Sequence, residues 1–160
     1  MRFFFAKYFY LCTVIDRTLI VRKRTMPLQR LKTVLKKAAS AETSFTPRLW
    51  TKENPLQGHC LVAAFVVQDF FGGTLRQGRL SPRWAKKLGF KTHCWNMLAA
   101  NTQTIDLSKE QFPADFPYDI FIRTSMGSSG RTISRPRLLK IQSVRKRYLL
   151  LRSRVDFLLN

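Results

Sequence analysis

Acidic residues are scarce in this chain. Of its 160 residues, 9 are Asp or Glu and 29 are Lys or Arg, which gives a formal net charge of +20. Such an excess favours contact with polyanions, because each neutralised phosphate releases counterions. The alternative is a cationic surface that is simply well solvated. Nucleic acid is therefore one hypothesis for a partner, and the charge alone says nothing about the fold.

Cysteine is scarce as well: the chain has three, Cys12, Cys60 and Cys94. An odd number cannot all pair within one chain, and their spacing does not indicate a disulfide scaffold. We therefore expect a cytoplasmic protein in a reducing compartment. In that setting a single cysteine can act as a nucleophile rather than as a crosslink.

The chain also lacks a long uninterrupted apolar run. Residues 3–15 are the most apolar stretch, but they are fewer than the roughly 20 that a membrane-spanning helix needs, and Lys7 interrupts them. No small-residue cleavage site of a secretory signal follows. We predict no transmembrane span, a non-domain extension over residues 1–25 and one domain over residues 26–160. An interfacial anchor is the alternative for the extension, and Met1 and Met26 are both possible starts.

Three segments have helical patterns. Residues 28–39 place apolar side chains at helical spacing with basic ones opposite, and residues 141–158 repeat that spacing. Residues 60–71, CLVAAFVVQDFF, are apolar on nearly every face and precede Gly72 and Gly73, which predicts a buried helix with a glycine cap. A buried strand over residues 61–67 is the alternative. Residues 74–90 are basic, and we predict that they are irregular.

Residues 91–98 and 103–107 predict two strands of a hairpin, joined by residues 99–102. A loop with an even number of residues places His93 and Asp106 on the same face, and Asn96 on the other. A three-residue loop would instead move Asp106 to the face opposite His93 and would rank Asn96 above Asp106 as the third member. With the buried helix, this hairpin predicts an α+β fold in which a central helix packs on a small antiparallel sheet.

Cys60 lies at the predicted N-terminus of the central helix. The helix dipole and the unpaired N–H groups there lower the pKa of a thiol, and the same N–H groups can bind an oxyanion. The alternative is that Cys60 is a small buried apolar residue. His93 is the better base, because on a helix the side chain of His59 would diverge from Cys60 by about 100 degrees. Asp106 would then orient His93.

Two weaker signals accompany these residues. Gln57, three residues before Cys60, has an amide that could donate to an oxyanion; the alternative is an ordinary glutamine in a loop. The dipeptides His59–Cys60 and His93–Cys94 invite a zinc hypothesis. Structural zinc sites usually space paired ligands by two or more residues, and neighbours in a strand point to opposite faces. We therefore expect neither a metal nor a cofactor.

Four sequence blocks together resemble a known family. They are WTKENPLQGHCLVAAFVVQDFF from Trp50, HCWNML from His93, IDLSKEQF from Ile105 and RYLLLRSRV from Arg147. In that order they resemble the YunG-like family of small, uncharacterised bacterial proteins. The family is similar in outline to papain-like and transglutaminase-like folds, with Cys, His and Asp in that chain order. The resemblance implies that Cys60, His93 and Asp106 form a triad, while Cys94 replaces an expected aromatic residue.

Two functions follow as hypotheses. The first is a cysteine hydrolase or acyltransferase that acts on the amide or thioester of an unknown acyl or peptide substrate through Cys60, His93 and Asp106, with Gln57 at the oxyanion. The second is a catalytically inactive basic module that contacts nucleic acid or another polyanion, without a recognised binding motif. Its cations would come from the C-terminal segment, at Arg135, Arg137, Lys140, Arg145, Lys146 and Arg147.

Overall fold

The computed structural model describes residues 26–98, 103–126 and 130–160. The extension predicted over residues 1–25 and the hairpin loop at residues 99–102 lie outside the described residues. The described chain is α+β, with helices packed on a small antiparallel sheet. Its helices are α1 (Leu28–Ala38), α2 (Cys60–Phe71), α3 (Pro82–Leu88), α4 (Tyr118–Met126), α5 (Arg135–Leu139) and α6 (Gln142–Leu159). Its strands are β1 (Thr74–Arg79), β2 (Thr92–Leu98), β3 (Gln103–Ile105) and β4 (Arg131–Thr132). Short 3-10 turns occupy Ala41–Thr43, Pro47–Leu49 and Lys109–Gln111.

The four strands form one sheet in the order β3-β2-β1-β4, and every neighbouring pair is antiparallel. The predicted hairpin is confirmed as β2 and β3, in which Asn96 pairs with Ile105 and Leu98 with Gln103. This register has the predicted parity. It keeps His93 and Asp106 on one side of the hairpin and Asn96 on the other.

One face of the sheet carries the aliphatic core. Leu31, Leu35, Phe65 and Leu151 come from α1, α2 and α6, and each is 0% exposed. A hydrogen bond ties α2 to the sheet, because the side-chain amide of Asn96 donates to the carbonyl of Ala64 over 3.0 Å. The three helices that the sequence predicted therefore form the main core together with this face.

The opposite face carries an aromatic cluster. The rings of Phe112 and Phe116 stack at 4.1 Å, and Phe121 of α4 packs beside them. Helix α4 approaches the sheet closely because β1 has a glycine beneath it: a Cβ on Gly78 would lie 2.3 Å from Ser125 Oγ. Gly78 is paired with His93 in the adjacent strand. The glycine thus permits a wall of aromatic side chains directly beside that histidine.

The prediction that residues 74–90 are irregular is wrong, because they form β1 and α3. Strand β1 has Leu75 as its one large buried apolar residue, so its sequence lacks the alternation of a half-buried strand. Strand β1 is held in the sheet by its pairing with both β2 and β4, which no local sequence pattern indicates. Helix α3 did carry terminal signals, since Pro82 is its first residue and Gly89 ends it in a left-handed conformation at φ 76°.

Across residues 26–98, 103–126 and 130–160, the structure contains no helix with the length and apolarity that crossing a bilayer requires.

Candidate active site

The centre of the candidate site is a buried pair formed by His93 and Asp106. His93 Nε2 lies 2.6 Å from Asp106 Oδ2, and the two side chains are 0% and 4% exposed. Three further donors meet the same carboxylate: Ser108 N at 2.9 Å, Ser108 Oγ at 2.8 Å, and the hydroxyl of Tyr118. A buried carboxylate with this many donors is held ionised and fixed in position.

Aromatic rings exclude water from His93. The imidazole stacks against Trp95 at a centroid distance of 6.0 Å and meets the edge of Phe112 at 4.7 Å. The rings of Tyr118 and Phe121 complete the wall. In such surroundings the effective dielectric is low, so the interaction between His93 and Asp106 is stronger than in water.

Cys60 is the first residue of α2 and is half-buried. The residue before it, His59, makes no side-chain cap to the helix, so no side chain at that position takes the N–H groups of the first turn. Within the part of the hairpin that the structure describes, strand β3 pairs with residues 96–98 of β2 alone. The preceding edge of β2 is therefore not covered by β3, and Cys60 interacts there with the backbone of Cys94.

The pKa of the Cys60 thiol lies well below its usual value. A hydrogen bond from the Cys94 thiol is the largest cause; burial opposes it, and a hydrogen bond and charge from His93 lower the pKa further. Conversely, burial lowers the pKa of His93, but the charge and hydrogen bond of Asp106, together with Cys60, raise it above its usual value. The thiol and the imidazole thus each favour the charged form of the other, as a nucleophile and its base do.

Cys94 does not share these properties. It is buried, and because its thiol donates toward Cys60, the pKa of Cys94 lies well above its usual value. Gln77 Nε2 lies 3.7 Å from Cys94 Sγ on the other side. Of the two cysteines in the described residues, Cys60 alone has the environment of a reactive thiolate.

Gln57 is buried beside the site, and its amide is already hydrogen-bonded. Its Nε2 donates to the carbonyl of Leu88 over 3.2 Å, and its Oε1 accepts from Asn54 Nδ2 over 3.3 Å. These bonds fix the loop before α2 against the end of α3. An oxyanion at Gln57 would have to be met by the second hydrogen of Nε2.

A different glutamine, which the sequence did not indicate, contacts the histidine. Gln111 is 2% exposed, its Nε2 lies 3.0 Å from His93 Nδ1, and its Oε1 accepts from the backbone N–H of Gly58 over 3.3 Å. The 3-10 turn Lys109–Gln111 carries the side chain back toward β2. Hydrophobic periodicity does not predict such a turn, so no signal in the sequence singled out Gln111.

His59 has a structural position rather than a catalytic one. It is 0% exposed; its Nδ1 lies 2.9 Å from the carbonyl of Gln57, and its Nε2 lies 2.8 Å from Thr43 Oγ1. Burial is the largest cause that lowers the pKa of His59, to about 4. A histidine that stays neutral and bonded on both nitrogens anchors the loop before Cys60.

Two surface clefts border the site, one at Gln111, which bonds to His93, and the other at Asp106. One, of about 450 Å³, has Gln57, Leu88 and Gln111 among its lining residues. The other, of about 470 Å³, has Asp106 and Tyr118 in its wall. Within the described residues, no group of three His, Cys, Asp or Glu side chains is arranged to hold a metal ion.

Comparison with known proteins assigns the chain to a family. The sequence model of the YunG protein family matches residues 27–160, which include Cys60, His93 and Asp106. The chain belongs to the YunG family. It is similar to the uncharacterised YunG protein of Bacillus subtilis (strain 168), with 34% identity over 91 residues, or 57% of this chain and 68% of that protein. No solved structure has significant similarity to it.

The basic C-terminal segment of this family member is divided between buried and exposed cations. Arg135 forms an ion pair with Asp69, which also pairs with Arg152. The charge of Arg135 is therefore paired within the fold. Arg147 is half-buried and stacks over the ring of Phe45 at 5.5 Å. The predicted polyanion surface therefore narrows to four exposed cations: Arg137, Lys140, Arg145 and Lys146.

Proposed function

We propose that this YunG family member is a cysteine hydrolase or acyltransferase with Cys60 as its nucleophile. The observation that carries the proposal is the buried His93–Asp106 pair beside a thiol at a helix N-terminus. A structural histidine needs no ionised carboxylate at 2.6 Å, and burying such a pair costs free energy that packing alone does not require. Perturbed pKa values that cluster around one cysteine are typical of functional sites.

In the proposed reaction the Cys60 thiolate attacks the carbonyl carbon of an amide or thioester, and the S–C bond forms as the carbonyl oxygen takes the electron pair. Backbone N–H groups at the start of α2, with Gln57 as the side-chain candidate, stabilise that oxyanion. The imidazolium of His93 then gives its proton to the leaving amine or thiol, and an acyl-Cys60 thioester remains.

The second half of the reaction reverses these roles. His93 takes a proton from water or from an acceptor amine, which attacks the acyl-Cys60 thioester. The products are a carboxylic acid or a transferred acyl group, and the Cys60 thiolate is restored. Asp106 holds His93 in the tautomer with a hydrogen on Nε2 and stabilises its cation in both halves. Under this proposal the α+β fold is of the papain-like type, with α2 as its central helix.

The proposal predicts a covalent acyl intermediate on one cysteine. The full-length protein is mixed with a small thioester or an activated ester, quenched in acid and analysed by intact mass and peptide mapping. We expect one acyl group on Cys60 in the wild type and in Cys94→Ser, and none in Cys60→Ser. Acylation that persists in Cys60→Ser, or that maps to Cys94, would contradict the assignment.

A polyanion-binding surface is the second candidate. The observation in its favour is that Arg137, Lys140, Arg145 and Lys146 are exposed and that, among the described residues, none of them forms an ion pair with an acidic side chain. If nucleic acid binds there, affinity for generic duplex DNA should fall steeply with salt. Replacing the four cations with Gln should remove that dependence, and no binding at low salt would rule the surface out.

A further inference from the structure

Gln111 joins the proposed base to the loop that precedes the nucleophile. Its side-chain amide lies between His93 Nδ1, at 3.0 Å, and the backbone nitrogen of Gly58, at 3.3 Å. Nδ1 is the imidazole nitrogen that Asp106 does not hold. Because Asp106 occupies Nε2, Nδ1 is the nitrogen through which His93 would take the proton of Cys60.

The orientation of this amide follows from its partner. The Gly58 N–H is a donor, so the group that faces it must be the carbonyl oxygen of Gln111. The NH₂ group then faces Nδ1 and donates to it, which requires a lone pair there. In this arrangement the contact favours the neutral ring, whereas the charge of Asp106 favours the imidazolium.

Protonation of Nδ1 disturbs both bonds at once. An N–H on Nδ1 would face the NH₂ group of Gln111, and two donors cannot bond to each other. If the amide turns over, its oxygen accepts from Nδ1, but its NH₂ group then faces the Gly58 N–H. That backbone donor, two residues before Cys60, loses its acceptor.

We propose that Gln111 is a positioning residue that couples the protonation of His93 to the release of the Gly58 N–H. In the thiolate–imidazolium pair His93 carries the extra proton, so the amide is turned toward Nδ1 and the N–H of Gly58, two residues before the nucleophile, is free for a substrate oxygen. When His93 gives that proton to the leaving group, the amide turns back. This inference rests on the proposed function for its catalytic meaning. The position of Gln111 in the wall of the 450 Å³ cleft means that a ligand entering there would meet this amide.

The coupling can be measured by NMR without substrate. The chain has only two histidines, so imidazole ¹⁵N shifts assign His93 by comparison with His93→Gln. Across about pH 6 to 12 we expect the Gln111 side-chain amide and the Gly58 backbone amide of the wild type to shift with the same midpoint as His93, whose pKa is raised to about 10. If His93 titrates while neither amide moves, or if it does not titrate at all in this range, the proposal is wrong.

An isosteric variant gives a second, independent readout. In Gln111→Glu a carboxylate accepts from both the Gly58 N–H and the protonated Nδ1, so no turn is needed. We expect the His93 midpoint to rise by about one pH unit, a tenfold change in the protonation equilibrium. The matched control is Gln68→Glu, whose amide bonds to Gly73 at the far end of α2 and should leave the midpoint unchanged. Because a carboxylate beside Nδ1 raises the midpoint by its charge alone, the decisive readout is the Gly58 amide, which should no longer shift with His93 in Gln111→Glu. A Gly58 shift that still follows His93 in this variant would overturn the proposal.

These results are independent of the acylation experiment. If Cys60 forms no acyl intermediate, the proposed function fails, but the coupled titration of His93, Gln111 and Gly58 can still be observed. If Cys60 is acylated and the three groups titrate separately, the function stands and the role of Gln111 is overturned.

Discussion

The substitution Asp106→Asn removes one charge from the centre of the site while it keeps the size of the side chain. The carboxylate of Asp106 accepts from His93 Nε2, Ser108 N, Ser108 Oγ and the Tyr118 hydroxyl. An asparagine has one oxygen, which can still accept from Ser108. Its NH₂ group must then face His93 and Tyr118, both of which donate to the carboxylate in the wild type.

The size of the expected loss of stability follows from those two lost hydrogen bonds. A hydrogen bond to a charged group contributes about 1.5–3 kcal/mol, and breaking a buried ion pair on one side costs about 3–5 kcal/mol. We expect Asp106→Asn to lower the free energy of unfolding by about 3–5 kcal/mol at pH 7, measured by urea denaturation with circular dichroism. The control Asp115→Asn changes an exposed carboxylate that pairs with Lys87 and should leave the midpoint nearly unchanged.

The difference in unfolding free energy between the wild type and Asp106→Asn depends on pH, and the sign of that dependence is definite. Burial raises the pKa of Asp106, but the charge and hydrogen bond of His93, with Tyr118 and Ser108, outweigh it and lower the pKa. The stability that the carboxylate contributes is therefore present above its unfolded pKa of about 3.9 and is lost as the pH falls through its lower folded value. The gap between wild type and Asp106→Asn should narrow below about pH 4. A gap under about 1 kcal/mol at pH 7 would refute the reasoning.

Three further predictions concern the scaffold of the site. The pKa of His59 is about 4 in the fold against about 6.5 in the unfolded chain, so His59 should lower the free energy of unfolding by up to about 3 kcal/mol between pH 6.5 and 4. Urea denaturation at each pH should show a smaller loss of stability in His59→Gln than in the wild type. An equal loss in both proteins would contradict the assignment. Leu151→Ala should cost about 2–5 kcal/mol in the same assay because Leu151 is 0% exposed, whereas Leu149→Ala, at a position that is 51% exposed, should cost far less; similar losses would place the core elsewhere. Gly78→Ala should lower the thermal midpoint, with a cost of about 1–3 kcal/mol, because its Cβ would lie 2.3 Å from Ser125 Oγ; an unchanged midpoint would show that α4 adjusts freely.

The sequence predicted the parts of the fold whose signals are local and strong. The buried helix over residues 60–71 is confirmed to the residue, because its apolar run and its two glycines mark both length and end. The parity of the hairpin was also predictable, since an even loop determines which side chains share a face. From the sequence alone, that parity predicts that His93 and Asp106 lie on the same face of the hairpin.

Other parts depended on contacts that no short window contains. Strand β1 is paired on both sides and has few apolar side chains, so its place in the sheet comes from its neighbours. Arg135 and Arg147 looked like free surface cations in the sequence, but Asp69 and Phe45 hold them in the structure. Gln111 reaches His93 through a 3-10 turn, which leaves no periodic signal.

The central claim is that Cys60 is a thiolate nucleophile supported by His93, and the alkylation rate of each cysteine tests it most directly. Full-length wild-type protein and His93→Ala are treated with iodoacetamide at pH 7, and the rates at Cys12, Cys60 and Cys94 are followed by peptide mapping, with circular dichroism as the check that the variant is folded. Because each unit of thiol pKa changes the thiolate fraction about tenfold, we expect Cys60 to react at least about ten times faster than Cys94, and about tenfold more slowly in His93→Ala. Equal, slow alkylation of all three cysteines, unaffected by His93→Ala, would contradict the account.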